Sequence, residues 1–517
     1  MDLSLRLRLS VMMFLQYFVW GAWAVPLVTF LSALPKDGGL NFPGGYVGLI
    51  YGTSAIGAMI SPLFVGLFAD RLFAAEKVLM VLHLAGAGLL AWAAYSCDQN
   101  LPKVQQVFET AAKAEKTGTG SLWDALEEQK RLNQEMANIT GPAPASWVGD
   151  IFGRPAAEAE QLKTLASQKE DLEKKKIEPA VKRVNQLPGV SGAVADAYHP
   201  LFWLMLIYAV CYMPTITLTN SLSFRNLSDP DRYFGGIRVL GTIGWIIAGW
   251  VVGFGLNPAS PQPLYLAAAS SAVLGLFCLG LPHTPPTRET KTLGDALGLP
   301  AVAMLKDIPF LVFFVCSFLI TIPLAFYYSW CHKFLTDIDA PNPTAIMTLG
   351  QISEIFFMLL LPVGLARLGT KWMLVLGMLA WCLRYGIFAT QNKFAVIAVG
   401  LPLHGICYDF FFVVSYLYVD RQAPKHLRAS AQGMITFITL GVGTFLGDVL
   451  GGEIKEMYTS GNAIDYQRFW IVPLAISAVA MVLFAALFRE PISDGKPVGL
   501  AKALEGLEPA EPPEQVH

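Results

Sequence analysis

The chain has 517 residues, of which 54% are hydrophobic and only 15% charged. Soluble domains carry about 25% charged residues, so this composition excludes an ordinary soluble protein and points to a membrane. The formal net charge of −2 is uninformative alone, and seven cysteines scattered singly exclude a disulfide framework or a zinc site built on paired cysteines.

Stretches long and apolar enough to cross about 30 Å of hydrocarbon run at 10–32, 45–68, 77–96, 200–222, 235–255, 262–282, 308–331, 344–366, 372–390, 394–419, 431–452 and 468–488. Twelve spanning helices are expected. The first follows Arg6 and Arg8, but its apolar part is too long for a signal-peptide core and eleven more spans follow it. Between spans three and four, residues 97–199 are polar and contain EAEQLKTLASQKEDLEKKKIEPAVKRVNQL. Loose helical spacing there predicts one or two exposed helices, such as an antiparallel hairpin. They would serve as a spacer or cap over one mouth, with a specific binding module as the alternative.

The expected organisation is 1–96 for spans 1–3, 97–199 for the insertion and 200–283 for spans 4–6. A linker at 284–307 joins these to spans 7–12 at 308–489, and residues 490–517 form a disordered tail rich in Pro, Glu and Gly. GLFADRLFAAEKV (66–78) and GLARLGTKWML (364–374) are corresponding glycine-led connections, so the two six-helix halves read as a duplicated transporter fold. With both termini cytoplasmic, 18 Lys and Arg fall in cytoplasmic segments and 5 in the short outer loops. The positive-inside rule therefore sets the N-terminus inside and the insertion outside.

Ionisable groups inside spans are functional candidates, since each costs roughly 2.5–3.5 kcal/mol to insert. Glu354, Asp409 and Arg384 lie deepest. Glu354 and Gln351 share one helix face at i and i+3. Asp409 stands beside Tyr408, with His404 one turn away. Arg238, Thr242 and Trp245 form one polar and aromatic stripe, which belongs against a cavity or another helix rather than lipid. A structural Arg238–Asp409 ion pair, a packed His404 and a structural Arg384 are the plainer readings. A carboxyl in a low-dielectric cavity favours its protonated form, so Asp409 or Glu354 is the expected proton carrier. There is no Walker loop, nucleophile elbow, H-E-x-x-H or metal-ligand cluster, so no enzyme activity and no cofactor or metal are expected.

LQYFVWGAW (15–23), YMPTITLTNSLSF (212–224), IRVLGTIGW (237–245), GQISEIFFMLLLP (350–362), YDFF (408–411) and RASAQGM (428–434) occur in an order and spacing that resemble the bacterial nucleoside:proton symporters of the major facilitator superfamily. The resemblance implies an all-α fold of twelve transmembrane helices in two halves, alternating access and nucleoside import by proton symport. It assigns Arg238, Thr242, Trp245, Gln351, Glu354, His404, Tyr408 and Asp409 to the substrate, Glu354 and Asp409 to proton coupling, and Asp70 with Arg71 to gating. It departs from the family at Ala325 and Tyr328, where the family presents two amides, and this leaves a sugar, a modified nucleoside or a non-transporting receptor as alternatives. The expected partners are a nucleoside, protons and lipid, with no nucleic acid. The expected form is a monomer in the bacterial inner membrane.

Overall fold

The structure is a computed structural model that describes residues 3–64, 72–118, 120–140, 155–286, 294, 298–460, 463–489, 492–493 and 496–497. Within those residues the chain is almost entirely helical. That follows from the solvent. In hydrocarbon every backbone N–H and C=O must find its partner inside its own segment, and a helix achieves this locally.

The apolar helices are α1 (Leu3–Trp23) with its short continuation α2 (Leu27–Ser32), α3 (Gly44–Phe64) and α4 (Ala75–Ala114). After the insertion, whose helices are α5 (Leu122–Thr140), α6 (Ala156–Leu172) and α7 (Glu178–Gln186), come α8 (Pro188–Asn226), α9 (Pro230–Gly255) and α10 (Gln262–Phe277). The second half holds α11 (Ile308–Asp337), α12 (Pro343–Ala389), the bent pair α13 (Lys393–Gly400) and α14 (Leu403–Gln422), α15 (Ser430–Met457) and α16 (Tyr466–Leu487). Side chains of Asp307, Asn342 and Asp465 accept from Phe310 N, Ala345 N and Arg468 N, capping the starts of α11, α12 and α16.

Nine of the described helices are long and apolar enough to cross a membrane, or ten if α13 and α14, bent by 47°, make one span. The expected twelve appear here in that coarser form. Helix α3 reaches residue 64, where the described segment stops. Helix α12 is 47 residues long and contains Gly369 at φ 72°, ψ 174°. At 1.5 Å per residue it is about twice the hydrocarbon thickness, and the glycine turns the chain where a side chain would be strained. Residues 66–71 of the connection 66–78, Asp70 and Arg71 among them, fall outside the described residues, as does, apart from two short strands, the tail from 490.

The described parts of residues 97–199 hold three helices, α5 to α7, where one or two are expected, and their frame is longer than the hydropathy pattern indicates. Helices α4 and α8 run on for 40 and 39 residues, well beyond any apolar window. Their extensions and α5 to α7 enclose a small core of Phe108, Leu122, Leu126, Ile177, Val181 and Val184. Lys36 pairs with Glu127 at 3.1 Å, and Asn41 Nδ2 donates to Asn185 Oδ1 at 2.8 Å, tying this module to the α2–α3 loop.

The halves meet most intimately at the end that carries the insertion. A Cβ on Gly44 would stand 2.1 Å from the Gly452 carbonyl oxygen, and one on Gly48 2.4 Å from that of Asp448. Only glycine permits α3 and α15 to approach so closely. Beside them Thr29 Oγ1 and Thr344 Oγ1 hold opposite ring nitrogens of His332 at 2.6 and 2.7 Å. Asn342 Nδ2 donates to Gly253 O at 3.0 Å. Gly48→Val should therefore cost about 1–3 kcal/mol of packing. A thermal scan in detergent should show a lowered midpoint, and an unchanged midpoint would mean that this contact is not part of the resting state.

Candidate functional site

The site begins with a local irregularity. Residues Tyr408–Val413 of α14 form a π-helical turn, a wider winding that rotates side chains off the regular stripe and recurs at functional sites. Asp409 sits on this turn, wholly buried. Among the described residues neither of its carboxyl oxygens has a hydrogen-bond partner. The Arg238–Asp409 ion pair that the sequence leaves open is thus not formed.

Helix α12 supplies the facing wall. Gly405 N donates to Ser353 Oγ at 3.0 Å, and a Cβ on Gly405 would lie 2.6 Å from the Ser353 carbonyl carbon. Such contact requires glycine, and it seats α14 against the turn that bears Gln351 and Glu354. Glu354 is half-buried and within electrostatic reach of both Arg238 and Asp409; Arg238 also reaches Tyr408. The Arg238 guanidinium lies 4.2 Å from the centre of the Tyr17 ring, a cation–π seat supplied by α1. Four of the expected residues, from α9, α12 and α14, therefore share one electrostatic neighbourhood.

Trp245 and Gln351 line a common crevice with Gly21, Tyr327, Tyr328 and Thr348, and its free volume of about 10 Å³ holds little more than one water. Gln351 is buried, and its Oε1 has no partner among the described residues. Gly21 allows α1 to back the Trp245 ring, since a Cβ there would lie 3.2 Å from the ring. Thr242 is half-buried one turn from Arg238. His404 is wholly buried, with its ring 5.8 Å from that of Tyr408 and 6.0 Å from that of Tyr328. Of the two departures noted in the sequence, Tyr328 lines the crevice and Ala325 does not: Ala325 Cβ faces Gly447 of α15.

Sequence reasoning missed four buried polar groups, Asp448, Gln16, His83 and His332. Asp448, inside α15, accepts a hydrogen bond from Ser329. Gln16 joins α1 to α4 and α8, its Nε2 donating to Thr215 Oγ1 at 2.7 Å and its Oε1 meeting His83 Nε2 at 2.9 Å. His332 makes the bridge to Thr29 and Thr344. Asp448 carried the same signal as Asp409, an acid within an apolar run. Gln16, His83 and His332 are ionisable or amide groups within predicted spans.

A cavity of about 930 Å³ lies elsewhere, lined mostly by apolar side chains of α9, α12 and α13 such as Trp250, Phe254, Ile352 and Phe394, with Thr348, Asn392 and Lys393 as its polar members. It lacks the convergent polar groups of a solute site.

Two halves of membrane-crossing helices that meet around buried, unsatisfied polar groups define a secondary transporter of the major facilitator type. The relatives agree. The chain is 36% identical to the putative nucleoside transporter YegT of Escherichia coli (strain K12), with 93% of each chain covered. It is 26% identical to the xanthosine permease of the same organism, covering 94% of this chain and 96% of that one. The crystal structure of the nucleoside transporter NupG superposes with a TM-score of 0.68 at 26% identity, over 95% of this chain and 100% of the other. The family model described as Nucleoside H+ symporter matches residues 1–107 and 188–493, and the chain belongs to that family. Residues 108–187, between the two matched stretches, fall within the insertion, and residues 494–517 lie beyond the match.

Stacking on an aromatic plane is worth roughly 1–3 kcal/mol per base, enough to change affinity ten-fold or more. Trp245→Ala should weaken binding of a nucleoside by that amount in calorimetry and leave that of a free sugar nearly unchanged. Equal loss for both would remove the stacking role.

Proposed function

We propose that this transporter imports a nucleoside with a proton by alternating access, and that Asp409 and Glu354 carry the coupling. The single observation behind the residue assignment is the carboxyl of Asp409, wholly buried with both oxygens unpartnered. An isolated carboxylate there would be far more costly than a carboxylic acid, so the site favours a bound proton when closed. Glu354 is near enough that two negative charges would repel, and Arg238 is near enough to relieve Glu354. Protonation of one acid, movement of the halves and release on the far side then form a coupled cycle. One proton falling through about 100 mV releases about 2.3 kcal/mol, which supports roughly fifty-fold accumulation of a neutral solute.

Trp245 offers a plane for the base, while Gln351, Thr242 and Arg238 offer polar partners at its edges. In this reading twelve spans cross the bacterial inner membrane, with α3 continuing past residue 64, α12 divided at Gly369, and α13 with α14 as one span. The lysine and arginine distribution supports cytoplasmic termini and an external insertion. The tight contact of α3 with α15 would then be the closed external gate, and Asp70 with Arg71 would serve gating on the opposite side.

Uptake into proteoliposomes with an imposed pH gradient tests the coupling. Asp409→Asn and Glu354→Gln should abolish gradient-driven accumulation, and at least one should retain exchange of labelled nucleoside. Accumulation at the parent level in both would end the coupling assignment. Replacing residues 115–187 by a short Gly/Ser linker should leave uptake within a few-fold, since the family model passes over this segment. Loss of uptake in a normally inserted variant would mean instead that the insertion shapes the adjoining mouth.

A further inference from the structure

Arg384 of α12 is wholly buried and carries a charge without an acidic partner among the described residues. Its guanidinium carbon lies 3.6 Å from the centre of the Tyr327 ring and 5.4 and 5.6 Å from those of Phe388 and Trp381. This aromatic enclosure supports the cation. Nη1 is 2.9 Å from Nδ1 of His404, while Nε and Nη2 have no partner among the described residues.

The chemistry of that one bond is one-sided. A guanidinium has five N–H donors, no acceptor and no accessible neutral form in proteins. Nη1 must donate, so Nδ1 of His404 must present a bare lone pair. A ring with a bare Nδ1 is not an imidazolium, and its single proton sits on Nε2. Nε2 is buried and has no partner among the described residues. The ring itself is held: Gly350 lies against His404 so closely that a Cβ would stand 3.1 Å from the histidine Cβ, and the Tyr327 ring centre is 5.1 Å away. A rigid ring with a forced donor and no acceptor among the described residues leaves that N–H available to a further partner.

We propose that Arg384 is a positioning residue that locks His404 as an Nε2–H donor for an acceptor atom of the transported solute. The proposal rests on the substrate reading above, and it deepens that reading by assigning polarity. The solute must offer a hydroxyl, carbonyl or ring-nitrogen lone pair at His404, and Gln351 Oε1, also unpartnered, takes a donor from it. It also sets His404 apart from the proton path, because a ring that must accept from Arg384 is not free to take a second proton there.

Nitrogen-15 NMR of histidine-labelled protein in detergent reads the tautomer directly, with the His404 signals assigned by their loss in His404→Phe. The parent should show a bare Nδ1 and a protonated Nε2. Arg384→Met should release the ring to a mixture of tautomers and weaken uridine or adenosine binding by about ten-fold, the worth of one well-made hydrogen bond. Arg384→Lys, which keeps a donor, should restore the parent tautomer. His404→Gln, whose amide can also donate, should recover most of the affinity that His404→Phe loses. A protonated Nδ1 in the parent overturns the lock, as does an unchanged tautomer in Arg384→Met. A glutamine no better than phenylalanine overturns the donor role. If the parent binds no nucleoside at all, the substrate reading fails, while the apo spectrum still decides whether Arg384 sets the tautomer.

Discussion

The desolvated carboxyl of Asp409 is the constraint on which the rest of the molecule depends. In hydrocarbon a polar group must be bonded, neutralised or used. Asp409 has no hydrogen bond among the described residues, and in the proposed cycle it is neutralised by a proton that comes and goes. Everything near it serves to keep it so. The π-turn aims it inward, Gly405 brings α12 within contact distance, and Tyr17 holds Arg238 near Glu354 without an ion pair to Asp409. A conventional salt bridge would have been the simpler structural solution, and it would have removed the titratable group.

The same economy of close approach governs the seam between the halves. Gly44 and Gly48 on α3 meet Gly452 and Asp448 on α15 at backbone distance. Between helices in lipid there is little hydrophobic force, so packing and a few hydrogen bonds decide association. Thr29 and His332 provide such a bond across the seam, Thr344 holds the other ring nitrogen from within the second half, and Ser329 provides one to Asp448 at its edge. These contacts are individually modest, which suits a surface that must separate in each cycle.

Much of this was legible before any coordinates. Hydropathy locates apolar segments because lipid thickness sets their length, and the acid at 409 stands out because its neighbours are aromatic. The Arg238, Thr242 and Trp245 stripe follows from helical period alone. What could not be read depends on which helices become neighbours. Arg384 and His404 are 20 residues apart on different helices, so their bond exists only once α12 lies on α14. That the Ala325 side chain faces Gly447 of α15 is likewise invisible in the sequence, because register within a span does not reveal which neighbour a position meets. Hydropathy likewise stops at the membrane surface and is blind to the polar continuations of α4 and α8, where a different core takes over.

Those continuations carry a mechanical consequence. Two helices of about 60 Å each, at 1.5 Å per residue, rise unbroken from the first half into the insertion. The insertion is therefore a stiff arm belonging to one half. Its free flank nevertheless borders the other: Lys182 and Asn185 share a polar cavity of about 420 Å³ with Lys333, Lys455 and Glu456. A small rotation of one half swings the far end of such an arm through a larger arc, as a pointer magnifies the turn of its axle. Any turn of one half against the other would therefore change the volume of that cavity.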